Sequence, residues 1–402
     1  MLRRHPHFEE GQEAVRRKFV RALGGATLVA MALAATACQD SGGGDDNAGG
    51  GDGGKCGGKI AIFGAFSGPN AGLVLPSLNG AKLAVKQHNA ANANCQVTLQ
   101  EFDTQGNPTQ ATPIATQVVA DKSFLAVIGG HFSGESKATM PTYEAGGLVM
   151  VSPSATATEL TQAGNKSFHR VVGNDGTQGS AAVVYIKDVL KAKKVFVADD
   201  GTTYGSGIIA EVKKGLGSLV AGEDKVQEKQ TNFASTITKV KSSGADVVAY
   251  GGYTNEAAPF LKQLRSAGVT AKFLGFDGLY DPAFPSGAGS GAEGAIVTCP
   301  CLPAEEAGGT FAADYQKEYG QAPGSYGAEG FDGAQVLLDG FKAGKNTRKD
   351  LLDWVNSYDK QGVSKYIKFD DTGDVDKSKV SIWAYEVKGG QIVPQQEIKL
   401  TS

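Results

Sequence analysis

Polar and aromatic side chains recur at one kind of place in this 402-residue chain, directly after short apolar runs. Ser133 follows FLAVIGG (124–130), Ser154 and Thr156 follow LVMVSP (148–153), and Tyr204 follows KVFVADD (194–200). Tyr253 follows DVVAYGG (246–252), and Asp277 closes KFLGFDG (272–278). Hydroxyls, phenols and one carboxylate suit hydrogen bonding to a small polar ligand better than they suit bond breaking. Each also has an ordinary use: Ser and Thr cap helices, Asp before Gly forms turns, and Tyr packs at strand ends. The mature chain has no G-x-S-x-G elbow, no H-E-x-x-H and no phosphate loop of the G-x-x-x-x-G-K-[ST] type. Gly289–Gly294 fits G-x-G-x-x-G but precedes an apolar strand instead of opening a helix. No enzymatic activity and no cofactor is expected.

The apolar runs predict the elements that position these residues. Strands are expected at 60–66, 97–103, 124–130 and 148–153, alternating with helical spacing in SLNGAKLAVKQHN, PTQATPIATQVVAD and ESKATMPTYEAG. Asn107-Pro108 supplies a cap and first turn for the second helix, and Pro113 is expected to kink or restart it. The same rhythm returns after residue 176. Repeated strand–helix–strand units imply parallel sheets with right-handed crossovers, and two such runs imply two Rossmann-like lobes. In such sheets ligands sit beyond the carboxyl ends of the strands, which is where the polar residues fall.

The N-terminus reads as an export segment. Arg16, Arg17, Lys18 and Arg21 precede an uncharged run from Ala22 to Ala37 that ends at Cys38, too short for a comfortable membrane span. Small residues before Cys38 resemble a bacterial lipobox, which predicts a signal peptide over 1–37 and lipidation of Cys38; the basic stretch fits twin-arginine or general export. Residues 38–58 form a Gly/Asp-rich tether. Residues 38–402 carry 33 Lys/Arg against 39 Asp/Glu, a poor balance for nucleic-acid binding. Cys56 and Cys95 each precede strands expected to be neighbours, so a disulfide is expected, while Cys299 and Cys301 fit a local bridge or free thiols. Only His88, His131 and His169 occur in the mature chain, none at zinc spacing from a cysteine pair, so no metal site is expected.

The stretches FGAFSGPNA (63–71), GGLVMVSPSATATEL (146–160), DDGTTYGSG (199–207), YGGYTNEAAPFLKQLRSAG (250–268) and YGAEGFDGA (326–334) carry a family resemblance. From about Lys59 to Val387 the chain resembles the branched-chain amino acid-binding proteins of bacterial ABC importers, which have the type I periplasmic-binding fold. The resemblance implies a monomer of two α/β lobes with parallel sheets joined by three hinge strands. It closes on a small amino acid, Leu, Ile or Val, and delivers it to permease subunits. Lobe I is expected at 59–174 with 300–362 and lobe II at 175–299 with 363–402, with hinges near 172–177, 297–301 and 361–366. Ser133, Ser154 and Thr156 fall on positions that grip the ligand's charged ends, and Asp277 on the carboxylate that faces the ammonium, where Glu is commoner. That chemistry is sensible, because a buried zwitterion must recover hydrogen bonds at both charged ends. Tyr204, Tyr253 and Tyr326 match aromatic wall positions, and Leu73 replaces an aromatic one. His131 and Phe132 stand where the family carries smaller or aliphatic groups, so an amide, urea or aromatic-acid receptor is the alternative ligand class. A sensing ectodomain with a separate signalling partner is the alternative role. Glu329 matches a recurrent acid near the hinge.

Overall fold

The computed structural model describes residues 56–400. The export segment, Cys38 and most of the tether lie outside the described residues. The tether ends earlier than its composition suggests, because Gly57 and Gly58 already pair with Gln96 and Val97 in the first sheet.

The first lobe holds a five-stranded parallel sheet. Its strands are β1 (Gly57–Gly64), β2 (Gln96–Asp103), β3 (Phe124–Ile128), β4 (Val149–Ser152) and β5 (Phe168–Arg170), in the order β2-β1-β3-β4-β5. Helices α1 (Ala71–Ala91), α2 (Pro108–Ala120), α3 (Ser133–Ala145) and the single turn α4 (Glu159–Gln162) connect them. The central strands are continuous apolar runs because both faces are covered. Ile60, Ile62, Ala126, Ile128, Val149 and Val151 join one core, and Ala61, Phe63, Val127 and Met150 join the other. Asn107 caps α2 by accepting from the Thr109 amide at 2.8 Å. Pro113 neither breaks nor restarts this helix. The carbonyl that loses its partner belongs to exposed Thr109, where water can serve it, while buried Ala111, Ala115 and Val118 hold the helix to the sheet.

The second lobe contains α5 (Asp175–Val184), β6 (Val195–Asp199), α6 (Thr203–Leu216), β7 (Val220–Lys225) and α7 (Ala234–Ser243). It continues through β8 (Val247–Gly251), α8 (Thr254–Ser266), β9 (Lys272–Gly275), α9 (Ala283–Ala288) and β10 (Ile296–Cys299). The chain then returns to the first lobe as α10 (Phe311–Tyr319), α11 (Gly327–Lys342) and α12 (Arg348–Asn356), followed by the hairpin β11 (Asp359–Gln361) and β12 (Tyr366–Lys368). Finally β13 (Trp383–Lys388) and β14 (Gln391–Glu397) complete the second sheet, in the order β14-β13-β10-β9-β8-β6-β7.

Two further features differ from the sequence expectation. The second sheet is mixed, because β13 runs antiparallel to both β10 and β14. Gly389 and Gly390, at φ 58° and 78°, make the two-residue turn that closes this last hairpin, a conformation that strongly favours glycine at both places. Residues 363–369, assigned by sequence to the second lobe, place Val363, Ile367 and Phe369 in the first lobe's core. The third crossing therefore follows Phe369 and does not lie at 361–366.

Helices α1 and α11 cross at glycine: a Cβ on Gly80 would stand 2.0 Å from the Gly327 carbonyl oxygen, and one on Gly330 2.1 Å from that of Ser77. This close crossing brings Leu73 and Tyr326, each near the start of its helix, to one place.

Both cysteine pairs are bridged, Cys56 to Cys95 and Cys299 to Cys301. The first closes a loop with a sequence separation of 39 between the edge strand β2 and its neighbour β1. Replacing both cysteines by serine should lower unfolding stability by about 2–4 kcal/mol, through the entropy returned to the unfolded chain. Urea denaturation of the variant beside the parent measures this; equal midpoints and slopes would contradict it.

Candidate functional site

All nine residues singled out as ligand contacts line one cavity, together with Val74, His131 and Gly278. In this closed form the cavity leaves about 20 Å³ for the centres of water-sized spheres, so its own side chains nearly fill it. Phe132, from the first lobe, meets Tyr253, from the second, edge to face with ring centroids 5.2 Å apart. The lobes are thus closed over the cavity.

On the first lobe's side, Ser133 begins α3, whose N-terminus carries the positive end of the helix dipole. The loop before it is held by buried Glu135, which accepts from the His131 and Phe132 amides at 2.7 and 3.1 Å and from the Thr104 hydroxyl at 2.6 Å. Burial outweighs these favourable bonds and pushes the Glu135 carboxyl up to about 7. Ser154 donates to the His131 carbonyl at 2.9 Å, and Ser133 Oγ accepts from the Ala157 amide at 3.1 Å. Between these residues Thr156 Oγ1 is buried without a hydrogen-bond partner among the described residues. Arg170 fixes this segment from beneath by donating to the Ala155 and Ala157 carbonyls at 3.0 and 2.9 Å. The His131 ring lies between the Phe63 carbonyl, 2.7 Å from Nδ1, and the Ser77 hydroxyl, 3.2 Å from Nε2. Burial lowers its pKa to about 4, so it is a neutral wall group.

On the second lobe's side, Asp277 follows β9 and is 5% exposed. Its two oxygens accept from the Tyr204 and Tyr326 hydroxyls, each at 2.8 Å. The Tyr204 oxygen in turn accepts from the Gly278 amide at 2.9 Å. Burial is the main cause that raises the Asp277 pKa, opposed by these phenols. Gly278 has no room for a side chain, since a Cβ would lie 2.6 Å from the Gly252 carbonyl oxygen and 2.7 Å from the Tyr204 ring. Tyr326 adopts φ 55°, a left-handed conformation costing a non-glycine residue about 1–2 kcal/mol. Its bond to Asp277 is one gain set against that cost.

Sequence reasoning did not single out Asp175 and Gln178, which lie outside the cavity's lining. They sit three apart in the first turn of α5, directly after the first crossing between lobes, and both are fully buried. Neither oxygen of Asp175 has a hydrogen-bond donor among the described residues, and Gln178 Oε1 is likewise unpartnered. Burial first, then the charge of Asp277, push the Asp175 carboxyl up to about 8. An acid and an amide at this spacing on a helix entering a second lobe was the available signal; an acid in a first helical turn is normally read as a dipole partner.

The cavity offers the buried acid Asp277 on one side and hydroxyls with a helix N-terminus on the other. It can hold a molecule with separated positive and negative ends against an apolar wall of Leu73, Val74 and Phe132. No three His, Cys, Asp or Glu side chains among the described residues are placed to hold a metal ion. No described helix is long and apolar enough to cross a membrane.

A family model described as "Periplasmic binding protein" matches residues 58–391. An amino acid binding protein of Pseudomonas aeruginosa is 29% identical, with 82% of this chain and 90% of the relative covered. A leucine-specific-binding protein of Salmonella typhimurium is 33% identical over 60% of this chain and 67% of its own. Among solved structures, a leucine-binding protein from Thermotoga maritima superposes with a TM-score of 0.78 at 27% identity, covering 85% of this chain and 98% of that one.

Proposed function

The chain belongs to the periplasmic binding protein family, and from that premise we propose that it captures a branched-chain amino acid outside the cytoplasm by closing its two lobes. In this reading it is a monomer tethered to the membrane by a lipid on Cys38, and it hands its ligand to an ABC importer permease. The observation that carries the ligand class is the pairing, across one cavity, of Asp277 with the hydroxyl-lined end of α3. The ammonium sits at Asp277. The carboxylate sits at Ser133, which accepts from the Ala157 amide and keeps its own proton to donate, and at Thr156, whose hydroxyl has no partner among the described residues; the α3 dipole there favours negative charge. Leu73, Val74, Phe132 and the tyrosines enclose the side chain. The leucine-binding relatives support this reading.

Titration calorimetry with leucine, isoleucine, valine, benzoate and urea tests it. The three amino acids should bind within about 1–3 kcal/mol of one another, since one methylene is worth no more in an apolar pocket. Binding of benzoate or urea without leucine would overturn the amino-acid assignment. Anchoring has its own test: Cys38→Ala should release the protein from the membrane fraction, and a variant that stays bound would exclude the lipid.

A further inference from the structure

Asp175 and Asp277 belong to the same lobe and are covered together when the other lobe closes. We infer that this acid pair makes closing conditional on a cation: without an ammonium between the lobes, covering both carboxylates is unfavourable, and the empty protein stays open. The inference rests on the ligand reading above and adds a guard against empty closure to it.

Asp175 is fully buried with both oxygens unpartnered among the described residues, and Asp277 is 5% exposed, served by uncharged groups alone: two phenols, the Gln178 amide and a backbone amide. A covered carboxylate without a cation or strong donors is unfavourable, and the charge of Asp277 further opposes that of Asp175. The groups that face Asp175 do not relieve it. Arg170 favours its charge but is committed to Asp374 and to the Ala155 and Ala157 carbonyls, while Asp277 and Glu211 oppose it. Thr156 favours its charge without a well-directed hydrogen bond. Tyr204, Tyr253 and Tyr326, whose hydroxyls resist ionisation because of burial, supply no charge.

In the open form these acids face water, and both ionise in the ordinary carboxylate range. In the closed form Asp175 rises to about 8 from its ordinary 3.8. The closed state therefore binds the proton more tightly. Closing without ligand takes a proton from solvent throughout that window and becomes harder as pH rises through it, with no further change above about 8. A ligand ammonium replaces the proton, while the ligand's own carboxylate lies on the hydroxyl side. Each pH unit inside the window shifts the closed-to-open ratio by up to about tenfold per linked group.

Small-angle scattering on exhaustively dialysed protein at pH 8 and pH 5, with and without leucine, tests this, alongside Asp175→Asn and Asp277→Asn. The empty parent should be extended at pH 8 and shift tenfold or more toward the compact form at pH 5. Leucine should compact it at pH 8. Asp175→Asn should be partly compact at pH 8 without ligand, with a flattened pH response. Glu135 also titrates near this range but lies within the first lobe, so a pH response that persists unchanged in Asp175→Asn would reassign the effect and overturn the inference. An empty parent of equal radius at both pH values would overturn it as well, even if an asparagine variant fails to fold. Compaction by leucine in that case leaves the amino-acid reading standing. Compaction by acid but not by leucine retains the guard and removes the leucine assignment.

Discussion

Lys365→Met is expected to cost about 3–5 kcal/mol of folding stability, because it strands a buried charge where the three chain crossings meet. Lys365, whose side chain is 6% exposed, donates its ammonium to Glu329 at 3.1 Å, to the Val171 carbonyl at 3.0 Å and to the Ser364 hydroxyl at 2.9 Å. Glu329 is fully buried and also accepts from the Leu302 amide at 3.2 Å, while its other oxygen has no donor among the described residues. Val171 leaves the first lobe, Leu302 returns to it, and Lys365 precedes the last passage. A single ion pair thus ties together segments far apart in sequence. Removing the lysine leaves Glu329 buried without its cation. Removing both partners, as in Lys365→Met with Glu329→Leu, should recover most of the loss, since an apolar pair needs no dehydration of charge. Denaturant unfolding of both single variants and the double variant measures the coupling. A single variant that loses less than about 1 kcal/mol, or a double variant no better than the singles, would show that the pair does not organise the crossings.

The cavity was legible in the sequence for a geometric reason, and the third crossing was not. Parallel strands covered on both faces are unbroken apolar runs, so the polar residue after each run marks the sheet's carboxyl edge. Ser133, Ser154, Thr156, Tyr204, Tyr253 and Asp277 all stand at such edges. Tyr326 and Leu73 start helices instead, and only the family resemblance singled them out. The β11–β12 hairpin gives almost no pattern, since its first strand is exposed throughout and Ile367 alone is buried in its second. The assignment of β12 to the wrong lobe follows from that weak signal. The antiparallel edge of the second sheet was signalled by Gly389-Gly390 between two apolar runs, a turn signature that the repeating strand–helix rhythm overshadowed. Asp175 escaped because an acid in a first helical turn is normally read as a dipole partner, and the charge that opposes its own, Asp277, is distant in the chain.

Asp277→Ala is expected to weaken leucine binding by about 3–5 kcal/mol, roughly two to four orders of magnitude in affinity, while Leu73→Val costs only about 1 kcal/mol. The difference follows from what each change leaves behind. Leu73→Val removes one methylene from an apolar wall that also contains Val74 and Phe132, so the ligand loses packing and nothing is left unpaired. Asp277→Ala removes the acceptor shared by Tyr204 and Tyr326 and the countercharge for the ammonium at once. The two phenols then compete with the ligand for partners, and Tyr326 loses a bond that held its left-handed backbone. Asp175 remains as a second acid nearby, which is why the loss is expected to be large but finite. Asp277→Asn separates charge from shape: it keeps acceptance from one phenol at similar volume yet removes the countercharge, so most of the loss should persist. Calorimetry on the three variants decides between these causes. Leucine affinity retained in Asp277→Ala would move the ammonium to Asp175, whereas affinity retained in Asp277→Asn but lost in Asp277→Ala would mean that this residue positions the tyrosines and does not pair with the ligand's charge.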